Sequence, residues 1–527
     1  MLKSAFSPYA ICTLLVLALS ALTLAQLPQP FNTDSYYYYN AAQNLAEGRG
    51  LTDDYLWVYI NAPDSIPTES HRYWMPLTSL VSAPLMVVLG SGYLPARLVM
   101  IPLWLGIVWL GISLAGLVSP KGRFAWVTGL TLALSGFYLP FWLTTDSFAL
   151  FGLLGTGALL ALGRGVEENS WRWLAVAGAL AGLAHLARAD GLLLLLVGLA
   201  VILWQRWKKR PPAQLNALRQ LMILVAAYLL VMSPWFARSM AVLGAPLPTG
   251  GVSTAYLRGY NDLFSYPPDW SLGYLLDWGA GNVLQSRLEG GLIAFQTWLA
   301  VEGLIVLGPF ALIPLWKRRH EPLWAGVLLY TVALHVAMAF VFTYPGSRGG
   351  LFHSSAALLP FWVVLGLQGI ESAVGWMAAR RAWNAGQAQA VFGWAVLAVP
   401  LYLGVLLALP LQRQALEDQP DYDFYARYLP SQARLMANDP AAWYYHTGLR
   451  GVTLPDSSLE TAWEIAQRYC ITHLLLDQNV TTAFDPLITG QGDPPAFLTL
   501  VGHWENASPT FNDDVKLYQF DLEETCP

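Results

Sequence analysis

The run Pro76-Leu-Thr-Ser-Leu-Val-Ser-Ala-Pro-Leu-Met-Val-Val-Leu-Gly90 decides how the chain is threaded. It is apolar, but short for a bilayer crossing of about 20 residues, and Pro84 interrupts it. Eleven other apolar windows approach or reach that length: 8–26, 98–117, 124–143, 147–163, 171–187, 191–206, 220–236, 292–316, 322–343, 355–371 and 389–410. Each added crossing inverts every later loop, so the positions of Lys and Arg arbitrate. If 76–90 stays out, Lys3, Lys121/Arg123, Arg164/Arg172, Arg206/Lys208/Lys209/Arg210, Lys317/Arg318/Arg319 and Arg380/Arg381 share one side, the cytoplasm. If it crosses, all but Lys3 move outside. The run is therefore read as interfacial or re-entrant.

Composition agrees with a membrane body. Of 527 residues, 55% are hydrophobic and 12% charged, about half the charged share usual in soluble domains. Three cysteines exclude a disulfide scaffold and a Cys-rich zinc module. With 29 basic against 34 acidic residues, a nucleic-acid partner is excluded as well. From Ala415 onward there are 17 acidic and 5 basic residues, which leaves 24 basic against 17 acidic before it. The chain divides into a membrane module, 1–414, and a soluble acidic tail, 415–527.

This threading places three segments on the outer face: a loop at 26–97, a second at 237–291, and the tail. The N-terminal segment to Ala25 reads as a signal anchor or a cleaved signal peptide. Within the first loop, Ser35 to Glu47 reads as a short helix capped by Asp34 or Ser35 and ended by Gly48 and Gly50. In the tail, a strand near 433–437, a helix over 459–470 and a strand at 473–476 predict a small α/β domain. Cys470 and Cys526 both lie there and either pair or remain thiols, whereas Cys12 lies in the first span. No internal repeat of fixed period is visible.

Charged side chains are scarce, so those collected on the outer face carry information. The first loop holds Asp34, Glu47, Asp53, Asp54, Asp64, Glu69, His71 and Arg72. Asp146 stands at the outer end of the third span, Arg188 and Asp190 interrupt two apolar runs, and Arg238 follows the seventh span. Tyr344-Pro-Gly-Ser-Arg-Gly-Gly-Leu-Phe-His353, with Arg348 and His353, connects the ninth and tenth. Any one of these can be a solvated span end, and Asp34 a mere cap. Together they suit an acid that takes a proton from a hydroxyl and arginines that pair with a phosphate. A phosphate half buried in lipid is a lipid phosphate.

The order Asn32-Thr-Asp34-Ser-Tyr-Tyr-Tyr, Ala42-Gln-Asn-Leu-Ala-Glu-Gly-Arg-Gly-Leu51, Trp74-Met-Pro76-Leu resembles the first outer loop of multi-spanning GT-C glycosyltransferases. It is most similar to the branch of protein O-mannosyltransferases and the lipid A aminoarabinose transferase. Thr145-Asp146, Leu186-Ala-Arg188-Ala-Asp190-Gly-Leu192, Pro234-Trp-Phe-Ala-Arg238 and Arg348 to Pro360 extend the resemblance over most of residues 8–415. Ala437-Asn-Asp-Pro-Ala-Ala-Trp-Tyr-Tyr445 in the tail resembles outward C-terminal domains of bacterial members.

The resemblance implies an all-α polytopic bundle of about eleven transmembrane helices plus interfacial helices, carrying a small extracytoplasmic α/β domain. It implies transfer of a sugar from a polyprenyl phosphate to a hydroxyl of a glycan, lipid or protein at the outer face of the plasma membrane, usually with inversion. Asp34 matches the base and Asp146 the second acid. Arg348, Arg188 and Arg72 are candidates for the donor phosphate, with Asp190, His71, His353 and Tyr344 as further site candidates. Asp34 and Asp146 could bind a divalent ion, as in oligosaccharyltransferase relatives, but the most similar branch works without one, so no metal and no other cofactor is expected. The main rival is a transporter or flippase, whose ionisable groups lie within the membrane; here only Glu302 and His335 do. A noncatalytic scaffold or receptor is the third reading.

Overall fold

The computed structural model describes residues 7–208, 213–248, 250–477, 480–490, 492–505, 507 and 514–522. Lys209, Arg210 and Cys526 lie outside the described residues. Among those described, eight helices are long and apolar enough to cross a membrane, or nine if the bent pair Ala280–Glu302 and Leu307–Arg318 forms one span. The protein is an integral, multi-pass membrane protein.

The difference from eleven has local causes. The 124–143 window is helical only over Gly122–Leu134 and ends where Ser135 turns left-handed, at φ 58°, ahead of a single turn over Gly136–Tyr138. Trp171–Ala187 is a helix of 17 residues, about 26 Å at 1.5 Å per residue. The 292–316 window contains a break of 94°, with Leu304 and Ile305 at positive φ. Beside that break Glu302, fully buried, faces His335 at 3.1 Å.

The run that decided the threading is helix α3, Leu77–Leu89, after α1, Pro8–Gln26, and α2, Thr33–Ala46. Its 13 residues span about 20 Å, short of the roughly 30 Å hydrocarbon core. Thr78, Ser79, Ser82, Ala83 and Met86 are buried, while Val87, Val88 and Leu89 stand exposed. Ser79 donates to the carbonyl of Tyr38, at 3.0 Å, which fastens α3 to α2.

The tail forms the α/β layer that its pattern predicts, but it does not form it alone. The strands are β1 Thr52–Asp53, β2 Tyr55–Leu56, β3 Thr68–Glu69, β4 Leu435–Ala437, β5 Gly451–Thr453, β6 His473–Leu476, β7 Leu498–Trp504 and β8 Val515–Phe520. β1 and β3 pair antiparallel within the 26–97 loop. The other six make one sheet in the order β2-β5-β4-β6-β8-β7. Four neighbouring strands, β2, β5, β4 and β6, run parallel, and β8 is antiparallel to β6. The edge strand β2 comes from the 26–97 loop, so the sheet reaches across the boundary at 415. Helix Leu459–Tyr469 lies where expected, and Cys470, its left-handed C-cap, is disulfide-bonded rather than a thiol. Cys12 is buried and free.

Candidate active site

Asn32, rather than Asp34 or Ser35, caps α2, because its side chain accepts the Ser35 N–H at 2.8 Å. That satisfies one of the open donors of the first turn and leaves the Asp34 carboxylate free to point elsewhere. Asp34 and Tyr38, one turn apart, line a cavity of about 340 Å³. All four tyrosines of the 36–39 tract are buried. Tyr37 donates to Asp53, at 2.9 Å, and accepts the His71 N–H, which ties the helix to its own loop.

Three segments far apart in sequence meet at Asp34. The Nε2 atom of His353 lies 3.5 Å from Oδ2 of Asp34 and 2.9 Å from Oδ2 of Asp146. Asp146 is 1% exposed, and its other oxygen accepts the backbone and hydroxyl of Ser147. The His353 ring stacks on Phe148 with centroids 3.9 Å apart. Its Nδ1 faces the carbonyl of Gly349 at 2.7 Å; a carbonyl only accepts, so Nδ1 carries a proton and Nε2 is turned to the two acids.

Burial is the largest effect on Asp34 and, with the charge of Asp146, pushes its carboxyl up to about 6 against the opposing pull of His353, Arg188 and a hydrogen bond from Trp74. For Asp146 burial also disfavours the charge, but His353, the Ser147 N–H and Arg188 outweigh it and hold the carboxyl below its usual range. The pair is thus split, with Asp34 the more basic member. Ligand atoms of Asp34, Asp146 and His353 lie within 4.8 Å of one another, so these three could hold a divalent ion. A histidine whose other nitrogen donates to a backbone carbonyl is oriented as metal-ligating histidines are; the same orientation serves an imidazole bonded to carboxylates.

The arginines differ. Arg188, the extended C-cap of the Trp171–Ala187 helix, lines the cavity but is engaged by Asp190 at 3.2 Å, Ser354 at 3.0 Å and Ser147 at 3.3 Å. Arg348 also lines it, and its guanidinium lies 5.0 Å from the ring centre of Tyr260. Among the described residues Arg348 has no carboxylate within ion-pair distance. It sits in a kink where the next residue has φ 126°, which glycine, here Gly349, adopts freely.

Asp190 is in the cavity wall too. Arg72, His71 and Tyr344 are not brought there. Arg72 bonds back to the Glu69 carbonyl and the Thr68 hydroxyl within its own loop. His71 is fully buried between Ser70 and Ser79, and burial, with Arg238 adding, pushes it down to about 3, so it is neutral and packs the loop. Tyr344 packs against the cluster that residues of the 26–97 loop form with the tail.

Sequence reasoning passed over Trp57, Tyr73, Trp74 and Tyr260, which line the cavity, and His185, which lines it while bonded to Tyr228. The pairing Tyr73-Trp74 just before α3 is the one signal that could have found them. The rest of the wall is aliphatic or nearly so: Leu192, Leu193, Leu247, Val252, Met338 and Phe342.

No family model matches the chain. No curated protein matches it in sequence. Solved structures do match in fold. ArnT from Cupriavidus metallidurans in the apo state aligns over 96% of this chain and 97% of its own, with TM-score 0.55 at 14% identity. The same protein bound to undecaprenyl phosphate gives TM-score 0.54 over the same shares at 14% identity. The oligosaccharyltransferase AglB from Archaeoglobus fulgidus, in complex with an inhibitory peptide and a dolichol-phosphate, gives 0.54 at 13% identity over 89% of this chain and 69% of that one. Bundle, loop helices and tail together give this chain the fold of the GT-C-type membrane glycosyltransferases.

Proposed function

We propose that the protein is a glycosyltransferase that moves a sugar from a polyprenyl phosphate to a hydroxyl acceptor at the extracytoplasmic face, with inversion and with Asp34 as general base. One observation carries the reading: a basic carboxylate, Asp34, and a guanidinium with no acid partner among the described residues, Arg348, face one cavity with largely apolar walls, aromatic and aliphatic. The neighbours fit the donor class, since ArnT is solved with undecaprenyl phosphate and AglB with a dolichol-phosphate.

In the reaction the acceptor O–H gives its proton to Asp34 as its oxygen bonds the anomeric carbon. The bond from that carbon to the phosphate oxygen breaks, and polyprenyl phosphate leaves with the electron pair. Arg348 pairs with the phosphate and stabilises the charge that grows there. Asp146 keeps Asp34 basic, and His353, oriented by Gly349, offsets part of their mutual repulsion. The proposal assigns no step to a metal. The acceptor is a glycan, lipid or protein.

The test is purified protein in lipid nanodiscs with a panel of polyprenyl-phosphate-linked hexoses, pentoses and aminopentoses. Release of polyprenyl phosphate by wild type, lost in Asp34→Asn, is expected. Movement of intact donor across vesicles without cleavage would instead favour a flippase and direct attention to Glu302 and His335.

A further inference from the structure

The tail has so far had no role, and Asn438-Asp-Pro440 stands out in it. Asp439 caps the helix Pro440–Thr447, its Oδ1 accepting the Ala442 N–H at 3.3 Å. Its other oxygen, Oδ2, accepts the hydroxyl of Thr33 at 2.7 Å. Thr33 is the residue immediately before Asp34. One carboxylate therefore fixes both the start of a tail helix and the first turn of the helix that carries the base.

The contact continues along a single face of α2. Thr33, Tyr36 and Asn40, at helical spacing, all meet the tail or the segment leading into it. Tyr36 donates to Gln419 at 2.9 Å and lies 3.1 Å from the ring nitrogen of His446. Asn40, 1% exposed, donates to the carbonyl of Ala441 at 2.9 Å. Asp34 and Tyr38 occupy the face turned to the cavity. The helix is thus held from behind by the tail while its front presents the base.

A second route joins the same partners. β2 pairs in parallel with β5 of the tail, Tyr55 opposite Gly451 and Leu56 opposite Val452. The next residue, Trp57, packs on Trp74 with ring centres 4.3 Å apart, and Tyr37 packs on Trp74 as well, at 4.2 Å. Trp74 hydrogen-bonds Asp34. Shifting the tail relative to the bundle would pull at the base from the backbone side through Thr33 and from the carboxylate side through Trp74.

We propose that Asp439 is a positioning residue for Asp34, acting through Thr33, and that the tail is part of the catalytic apparatus. This rests on the assignment of Asp34 as base. A displacement of about 1 Å at a reacting group can cost a hundredfold in rate, so the loss should fall on kcat.

Thr33→Val removes the hydroxyl at nearly constant shape and leaves the Asp439 cap intact, so it avoids the folding risk of Asp439→Ala. With the polyprenyl-phosphate sugar that wild type turns over, Thr33→Val should lower kcat between about tenfold and a hundredfold while KM for the donor stays within about twofold. Thr33→Ser should recover most of the loss. Asp439→Asn, which still caps, should add little in the Thr33→Val background, as expected for partners in one contact. Hydrogen exchange of the backbone over residues 32–40 should quicken in Thr33→Val. Wild-type kcat together with wild-type exchange in Thr33→Val would overturn the proposal, as would a change confined to KM. If Asp34→Asn itself remains active, the base assignment fails; if it is inactive while Thr33→Val is normal, only the positioning role fails.

Discussion

The Nε2 atom of His353, just past the kink at Gly349, lies 3.5 Å from Oδ2 of Asp34 in the first turn of α2. The charge that this imidazole carries when protonated lowers the basicity of Asp34, and Asp146, bonded to the same ring, raises it.

The first prediction follows from that opposition. A base must be ionised, and burial and Asp146 raise the Asp34 carboxyl to about 6, so kcat/KM should fall as pH drops through about 6 and be full above it. Asp34→Asn should lose a factor of roughly 100 or more and with it this limb. His353→Gln removes the lowering influence, so the limb should move to higher pH. Asp146→Asn removes the raising one, so it should move to lower pH. Limbs that shift together in one direction would break the assignment.

The second prediction separates the arginines. Arg348→Ala should weaken binding of undecaprenyl phosphate by about 1.5–3 kcal/mol, the range for hydrogen bonds to charged groups, and Arg348→Lys should recover only part, since a point charge cannot pair bidentately. Arg188→Ala leaves Asp190 behind in the cavity wall, so it should chiefly reduce the yield of folded protein. Calorimetry and a thermal melt of each variant decide between these. Arg72→Ala should bind as wild type.

The third concerns sidedness. Cysteines introduced at Asp64, Ser253 and Asp456 should react with an impermeant thiol reagent in intact cells, and one at Lys317 should not. Labelling at Lys317 with protection of Ser253 would mean that α3 crosses and that the cavity opens to the cytoplasm.

The fourth concerns metal. Turnover should survive dialysis against EDTA. Loss of turnover restored by Mn²⁺ or Mg²⁺ would instead make Asp34, Asp146 and His353 ligands.

The fold was largely legible because bilayer crossing imposes length and apolarity, and because lysines and arginines mark one side. Where helices stop or bend inside their windows was not, since nothing in the 292–316 composition announces a bend beside Glu302, nor in 124–143 a stop at Ser135. Asp34, Asp146, Arg188, Asp190, Arg348 and His353 could be collected because charge is rare in such a chain. What pattern could not supply was adjacency: His71 and His353 look alike as lone histidines of outer loops, and only folding buries one between serines and sets the other between acids. Asp34 also looked like a cap until Asn32 took that bond.

Strand β2 is made early in the chain, and its partner β5 near the end of it. During synthesis the loop bearing Asp34 therefore emerges long before the surface that it pairs with, and β5 presents an open edge until the two join. A product truncated before Gly451 should therefore insert its spans yet lack the strand pairing that ties the 26–97 loop to the tail.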